Sequence, residues 1–290
     1  MGTTGRLVPP TGGVEEASVD VTRSVTLVEE KGSELEIARM RHILYGVKPP
    51  PDVVRSLAQR QNDDGGFPYD LTSNHLSGVD STLTALWWMD ELGLLESSKA
   101  DRAIGYLLTV QKEDGGWDEQ PVVALDGVPP WIRPGDLGTR LYLTGYAAYW
   151  LGVSSRRTHP AFPKAVDFLL KHRDDAGKLH GYLHTTWIAA AVFTMAGDHY
   201  AEMAAPSLQF LMDRPLFEWA DSQISWALDC LGRAGLPKGH PLVERGLAEL
   251  LARQDPRGSW SSEDGEAHAV GASIGALKVF KLFGVLSAKP

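Results

Sequence analysis

The sequence is short of several features that would assign it quickly. It holds one cysteine, Cys230, among 290 residues, which excludes an intrachain disulfide and a thiolate-rich zinc site. No run of about 18 apolar residues is present to span a bilayer, and residues 1–13 show no apolar signal region. A cytoplasmic protein without stable membrane insertion is expected. Positive charge is also scarce: 28 Lys and Arg face 37 Asp and Glu, a net charge of −9, so a phosphate backbone is repelled and nucleic acid is not an expected partner. P-loop, GxSxG, HExxH and dinucleotide fingerprints are missing, which leaves nucleotide, serine-hydrolase and metalloprotease chemistry without a motif. What the chain does have is 43% hydrophobic residues, enough for a large core.

It also has a repeat. Gln61-x-x-x-Gly65-x-Phe67, Gln111-x-x-x-Gly115-x-Trp117 and Gln254-x-x-x-Gly258-x-Trp260 share one pattern, with degraded copies at residues 173–179 and 212–219. Before each copy runs a segment with helical apolar spacing, such as Ala100, Ile104, Leu107 and Leu108. After each comes a segment apolar nearly all round, as at residues 82–89, 141–151, 187–196, 224–231 and 270–283. Half-wet and dry helices in alternation fit an outer ring around an inner ring. The expected fold is therefore all-α, an (α/α) toroid of five to six helix pairs over residues 17–290, behind a disordered tail at residues 1–16. Residues 17–46 supply a sixth helix or an incomplete pair. Pro206 is placed at the start of the fourth outer helix.

These three motif copies, with the DDGGF and EDGGW turns and the Asp80-Ser81-Thr82 run after the first, resemble the squalene–hopene cyclase and prenyltransferase repeat family. The resemblance covers about residues 47–286 and implies an (α/α) barrel whose glutamine–tryptophan motifs tie helices together. The length suits one such barrel.

The resemblance also nominates residues. Proton-initiated terpene cyclases of this family carry Asp-x-Asp-Asp at an inner-helix start, and Asp80 falls on the proton-donating aspartate, with Gly78 and Ser81 in place of its flanking carboxylates. Protonating an alkene needs an acid kept neutral by burial; the competing role for Asp80 is an ordinary helix N-cap. In protein prenyltransferases the matching positions hold zinc through Asp-x-Cys and a later histidine. Here these are Asp221, Gln223 and His268, and an amide in place of a thiolate breaks the site. Asp221 and His268 remain an acid–base pair or, alternatively, a cap and a core residue. No metal or cofactor is expected.

Aromatic residues on the dry helices, Trp87, Trp88, Tyr142, Tyr146, Tyr149, Trp187 and Trp226, are candidates to line a lumen and stabilise carbocations, or else to pack the core. Long connectors at residues 68–78, with His75, and 118–138 often cover a site; Arg140 and His184 near that end suit an anionic group or the rim. Together these residues point to a terpene cyclase-like enzyme acting on a hydrophobic isoprenoid. The alternatives are a prenyltransferase-like transferase and a barrel that only binds an apolar ligand or a protein. A partner subunit or homo-oligomer is left open.

Overall fold

The computed structural model of the chain describes residues 19–72, 75–121 and 129–286; the tail expected at residues 1–16 lies outside them. Twelve α-helices account for most of what is described: α1 (Val21–Lys31), α2 (Glu34–Tyr45), α3 (Pro51–Gln59), α4 (Val79–Glu91), α5 (Ser98–Val110), α6 (Leu137–Val153), α7 (Ala161–Lys171), α8 (Leu183–Met195), α9 (Asp198–Met212), α10 (Asp221–Arg233), α11 (Pro241–Arg253) and α12 (Ala269–Leu282). The even-numbered helices pack side to side in a closed ring, α2 on α4, α4 on α6, α6 on α8, α8 on α10, α10 on α12 and α12 back on α2. The odd-numbered helices surround them. The fold is thus the expected (α/α) barrel, with six pairs, and residues 17–46 provide the sixth pair as α1 and α2.

The rings follow from where the apolar residues lie. Helix α8 is buried on every side from Trp187 to Phe193, as its unbroken apolar sequence requires, whereas α5 buries only Ala100, Ala103, Ile104, Tyr106 and Leu107. Caps fix the starts: Ser33 and Glu36 form a reciprocal capping box on α2, and Asp136 accepts from the Thr139 N–H at 2.9 Å at the head of α6.

The repeated motif joins each outer helix to the next. Gln61 Nε2 donates to the carbonyls of Gly65 (2.8 Å) and Lys99 (2.9 Å), the latter in the first turn of α5. Gln111 does the same to Gly115 and to Ala161 at the start of α7. Gln254 closes the ring, donating to Asp20 O (3.1 Å) and Ser24 Oγ (2.8 Å) at the head of α1. The motif aromatics tie inward: the Trp117 and Trp260 indoles donate to Leu107 O and Leu250 O, each at 2.7 Å, and their backbone N–H groups donate to Thr144 on α6 and Ser273 on α12. In the degraded fourth turn, Arg245 and Arg253 of α11 replace the glutamine, donating to the carbonyls of Met212, Leu216 and Trp219.

Pro206 does not begin α9, which starts at Asp198 and carries the proline inside it. Its position nonetheless matches the first turn of the other outer helices, because the third motif glycine, Gly177, docks against the Pro206 carbonyl as Gly65 docks on that of Arg102 and Gly115 on that of Lys164. The extra turns precede the docking point.

At the ring closure Gly258 has φ +87°, and a Cβ there meets Arg23 Cβ and Ser24 N at 2.6 Å. Gly258→Ala is therefore expected to cost about 1–3 kcal/mol, read as a lower melting temperature. Gly105→Ala, in open space on α5, is expected to be neutral or stabilising by up to about 1 kcal/mol.

Candidate active site

All six inner helices run the same way, so their N-terminal ends form one rim of the barrel and their C-terminal ends the other. Between them lies a cavity of about 360 Å³, at the small end of the roughly 300–1,000 Å³ usual for ligand sites. Its aromatic wall comprises Trp87 and Trp88 of α4, Tyr142 and Tyr146 of α6 and Trp226 of α10. Tyr146 holds this wall together: its ring lies 6.0 Å from Tyr142, 5.9 Å from Trp150 and 5.6 Å, edge-on, from Trp226. The mouth passes Glu36, Ser222, Glu263, Asp264 and His268.

Asp80 sits in the first turn of α4, one turn above the cavity-lining Thr84, and the cavity-lining Tyr142 hydroxyl donates to it. It is half-buried and does not serve as the end cap. The N-cap is Gly78, and the first-turn N–H groups of Val79 and Asp80 donate instead to Glu119, at 3.0 and 2.6 Å. A second carboxylate thus performs the capping role that Asp80 was weighed for, and Asp80 is left with Tyr142. Burial pushes its carboxyl up from 3.8 to about 6, against a smaller lowering by the Tyr142 hydrogen bond. Glu119, 2% exposed, is pushed up to about 7, first by burial and further by the Asp80 charge, while the backbone N–H groups pull the other way.

No family model matches the sequence. A curated squalene–hopene cyclase from Zymomonas mobilis is 25% identical over 284 residues, an alignment that takes in 82% of this chain and 42% of the relative. The chain therefore spans less than half of that protein. Among solved structures, a protein from Actinoplanes superposes with a TM-score of 0.60 at 16% identity, over 91% of this chain and 98% of that one. The type II terpene cyclase MstE from Scytonema, in complex with geranylgeranyl dihydroxybenzoate as substrate, superposes with a TM-score of 0.54 at 16% identity, over 87% of each chain. The fold is that of the squalene–hopene cyclase-like family.

Within this cyclase-like fold the other candidate residues separate into groups. Asp221 faces away from the lumen, accepting from Ser261 N and Oγ (2.9 and 2.8 Å) and pairing with Arg253 at 3.2 Å. His268 is exposed at the mouth, so the two do not meet as an acid–base pair. Gln223 donates to Glu263 (2.8 Å) and accepts from Ala220 N (3.0 Å). Among the described residues no group of three or more His, Cys, Asp or Glu is placed to hold a metal ion.

Tyr149 and Trp187 lie behind the aromatic wall, 2% and 0% exposed. The indole of Trp187 stacks on Trp219 at 5.5 Å. Arg140 points outward to Asp114 at 2.8 Å and lies over the Phe168 ring, leaving no free charge for a lumen anion. His184 belongs to the rim, bonded to Glu263 at 2.8 Å with its ring 5.1 Å from Trp226. His75 is exposed beside Tyr69, outside the cavity.

Two features escaped sequence reasoning. One is Glu119, two residues after the motif aromatic Trp117; Ser261, one residue after Trp260, likewise engages the head of the preceding inner helix, α10, through the Asp221 N–H at 3.2 Å. The other is an ionic floor. Arg39 of α2 pairs with Glu91 of α4 at 2.6 Å. Lys278 of α12 contacts Asp229 of α10 (2.7 Å), Asp90 (3.3 Å) and Glu91 (3.4 Å). Arg233 pairs with Asp90. The Arg39 and Lys278 charges hold Glu91 below the usual carboxylate range despite its burial, and those of Lys278 and Arg233 do the same for Asp90. Burial wins at Asp229, which is raised.

Proposed function

We propose that the chain is a terpene cyclase-like enzyme in which Asp80 protonates an alkene of a hydrophobic isoprenoid and the aromatic wall guides the resulting cation to ring closure. The observation that carries this reading is the state of Asp80: a carboxyl raised to about 6, released from capping by Glu119 and hydrogen-bonded to a tyrosine that lines an aromatic chamber. Tyr142, which lines the cavity, links Asp80 to it. The cation that forms meets the faces of Trp87, Tyr146 and Trp226, each contributing about 0.5–2 kcal/mol of cation–π stabilisation. The likeness to a squalene–hopene cyclase and to a type II terpene cyclase that binds a geranylgeranyl substrate supports the same class.

The test is incubation of the purified chain with farnesol, geranylgeraniol, squalene and the corresponding prenyl diphosphates, followed by mass spectrometry. Cyclic products of unchanged mass are the expected result; a panel recovered intact contradicts the proposal.

The acid form of Asp80 is the active one, so the pH dependence has a fixed sign. Activity is expected to be level below about pH 6 and to fall about tenfold per pH unit above it, following the fraction of protonated Asp80. Tyr142→Phe removes the hydrogen bond that lowers this carboxyl and is expected to move the falling limb to higher pH. A profile that rises through pH 6 contradicts the assignment.

A further inference from the structure

The floor of the lumen has chemistry of its own. Its cavity-facing members are Arg39, Glu91, Asp229 and Lys278, backed by Asp90 and Arg233. Every cation of this set is ion-paired: Arg39 with Glu91, Arg233 with Asp90 and Lys278 among three carboxylates. The carboxylates are not all so fully used. Asp229 is 9% exposed and accepts from Lys278 only through Oδ2, and its buried Oδ1 has no hydrogen-bond partner among the described protein groups. A buried acceptor left in that condition is costly unless something bonds to it.

We propose that this floor is a binding site for a neutral hydrogen-bond donor at the end of an otherwise apolar chain, a primary hydroxyl on a prenyl group, with Asp229 Oδ1 as the acceptor. The inference rests on the reading of the lumen as an isoprenoid chamber and adds the polarity and orientation of the substrate. A donor is selected at Asp229 because its unused atom is an acceptor; Arg39 Nη2 also lacks a hydrogen-bond partner among the described residues, but its charge is held by Glu91 at 2.6 Å. A diphosphate is rejected, because the floor has no spare cation and the mouth adds the carboxylates of Glu36, Glu263 and Asp264. Asp80 and Glu91 stand eleven residues apart on α4, about 16 Å by helical rise, so the floor and the acid lie at opposite ends of the lumen.

The test uses ligands that no acid can cyclise, so that binding is read without turnover. Isothermal titration calorimetry of the full chain with hexahydrofarnesol, its methyl ether and its diphosphate compares three head groups on one saturated tail. The alcohol is expected to bind roughly tenfold or more tightly than the ether, since a hydrogen bond to a buried acceptor is lost, and more tightly than the diphosphate. In Asp229→Ala the alcohol–ether gap is expected to close. Equal affinity of alcohol and ether, a gap that persists in Asp229→Ala, or preference for the diphosphate overturns the floor site while leaving the apolar chamber intact. Failure of all three to bind removes the chamber reading itself. Should Asp229→Ala not fold, the comparison of alcohol and ether on the unsubstituted chain decides alone.

Discussion

Asp80→Asn is expected to lower turnover of a cyclised isoprenoid by at least about 10²–10⁴-fold, the usual worth of a positioned general acid, with little change in the affinity for an uncyclisable analogue. The asymmetry follows from the geometry. Asparagine keeps the size of the side chain and a hydrogen-bond acceptor for Tyr142, and the end of α4 is held by Glu119 whichever residue stands at position 80, so fold and cavity are retained. Only the transferable proton is lost. Glu119→Gln provides the contrast. It keeps an acceptor oxygen for one of the Val79 and Asp80 N–H groups, which Glu119 bonds through Oε2 and Oε1, leaves the acid in place, and removes a neighbouring carboxyl whose charge is coupled to that of Asp80. Its effect is expected on the pH profile more than on the maximal rate. Equal losses for both variants at all pH values would point to a structural role for the pair.

The largest stability effect is expected at the opposite end of the lumen. Glu91→Ala leaves the Arg39 guanidinium, whose side chain is 5% exposed, without its carboxylate partner. Breaking a buried pair from one side costs about 3–5 kcal/mol, on the order of 10 °C in melting temperature for a chain of this size. Lys278 is not orphaned, because Asp229 and Asp90 remain, so most of the cost is attributable to Arg39 and the rest to the Trp87 indole. Replacing both partners, as in Arg39→Met with Glu91→Leu, is expected to recover most of the loss, because the desolvation of both charges is then avoided. Recovery stops about 1 kcal/mol short of complete, since the Trp87 indole loses its 2.6 Å bond to Glu91 Oε1. Thermal denaturation of the three proteins reads this directly. A loss below about 1 kcal/mol for Glu91→Ala would mean that water reaches the pair.

The barrel was legible because its signals are periodic and local. Gln61, Gln111 and Gln254 announce the same joint three times, and the dry segments at residues 187–196 and 141–151 become α8 and α6, walled in by neighbours. Residues 17–46 were ambiguous because α2 carries Arg39 on a buried face; an inner helix bearing a charge does not look dry until its partner, Glu91, is seen across the ring. The site was less legible. Lumen-facing and core-facing aromatics have the same spacing, so Tyr146 and Tyr149 read alike, yet only the first lines the cavity. The cap on Asp80 comes from Glu119, 39 residues on, and the floor joins Arg39, Asp229 and Lys278 from three helices distant in sequence. Local pattern carries no information about such meetings.

Turnover in deuterium oxide tests the central claim most directly, because a proton supplied by Asp80 comes from solvent while the cation it makes stays in the chamber. The cyclised product is expected to carry one non-exchangeable deuterium, at the ring methylene formed from the protonated alkene carbon, and to vanish in Asp80→Asn. A cyclic product with no deuterium would show that the cation arises by departure of a leaving group, which contradicts the account.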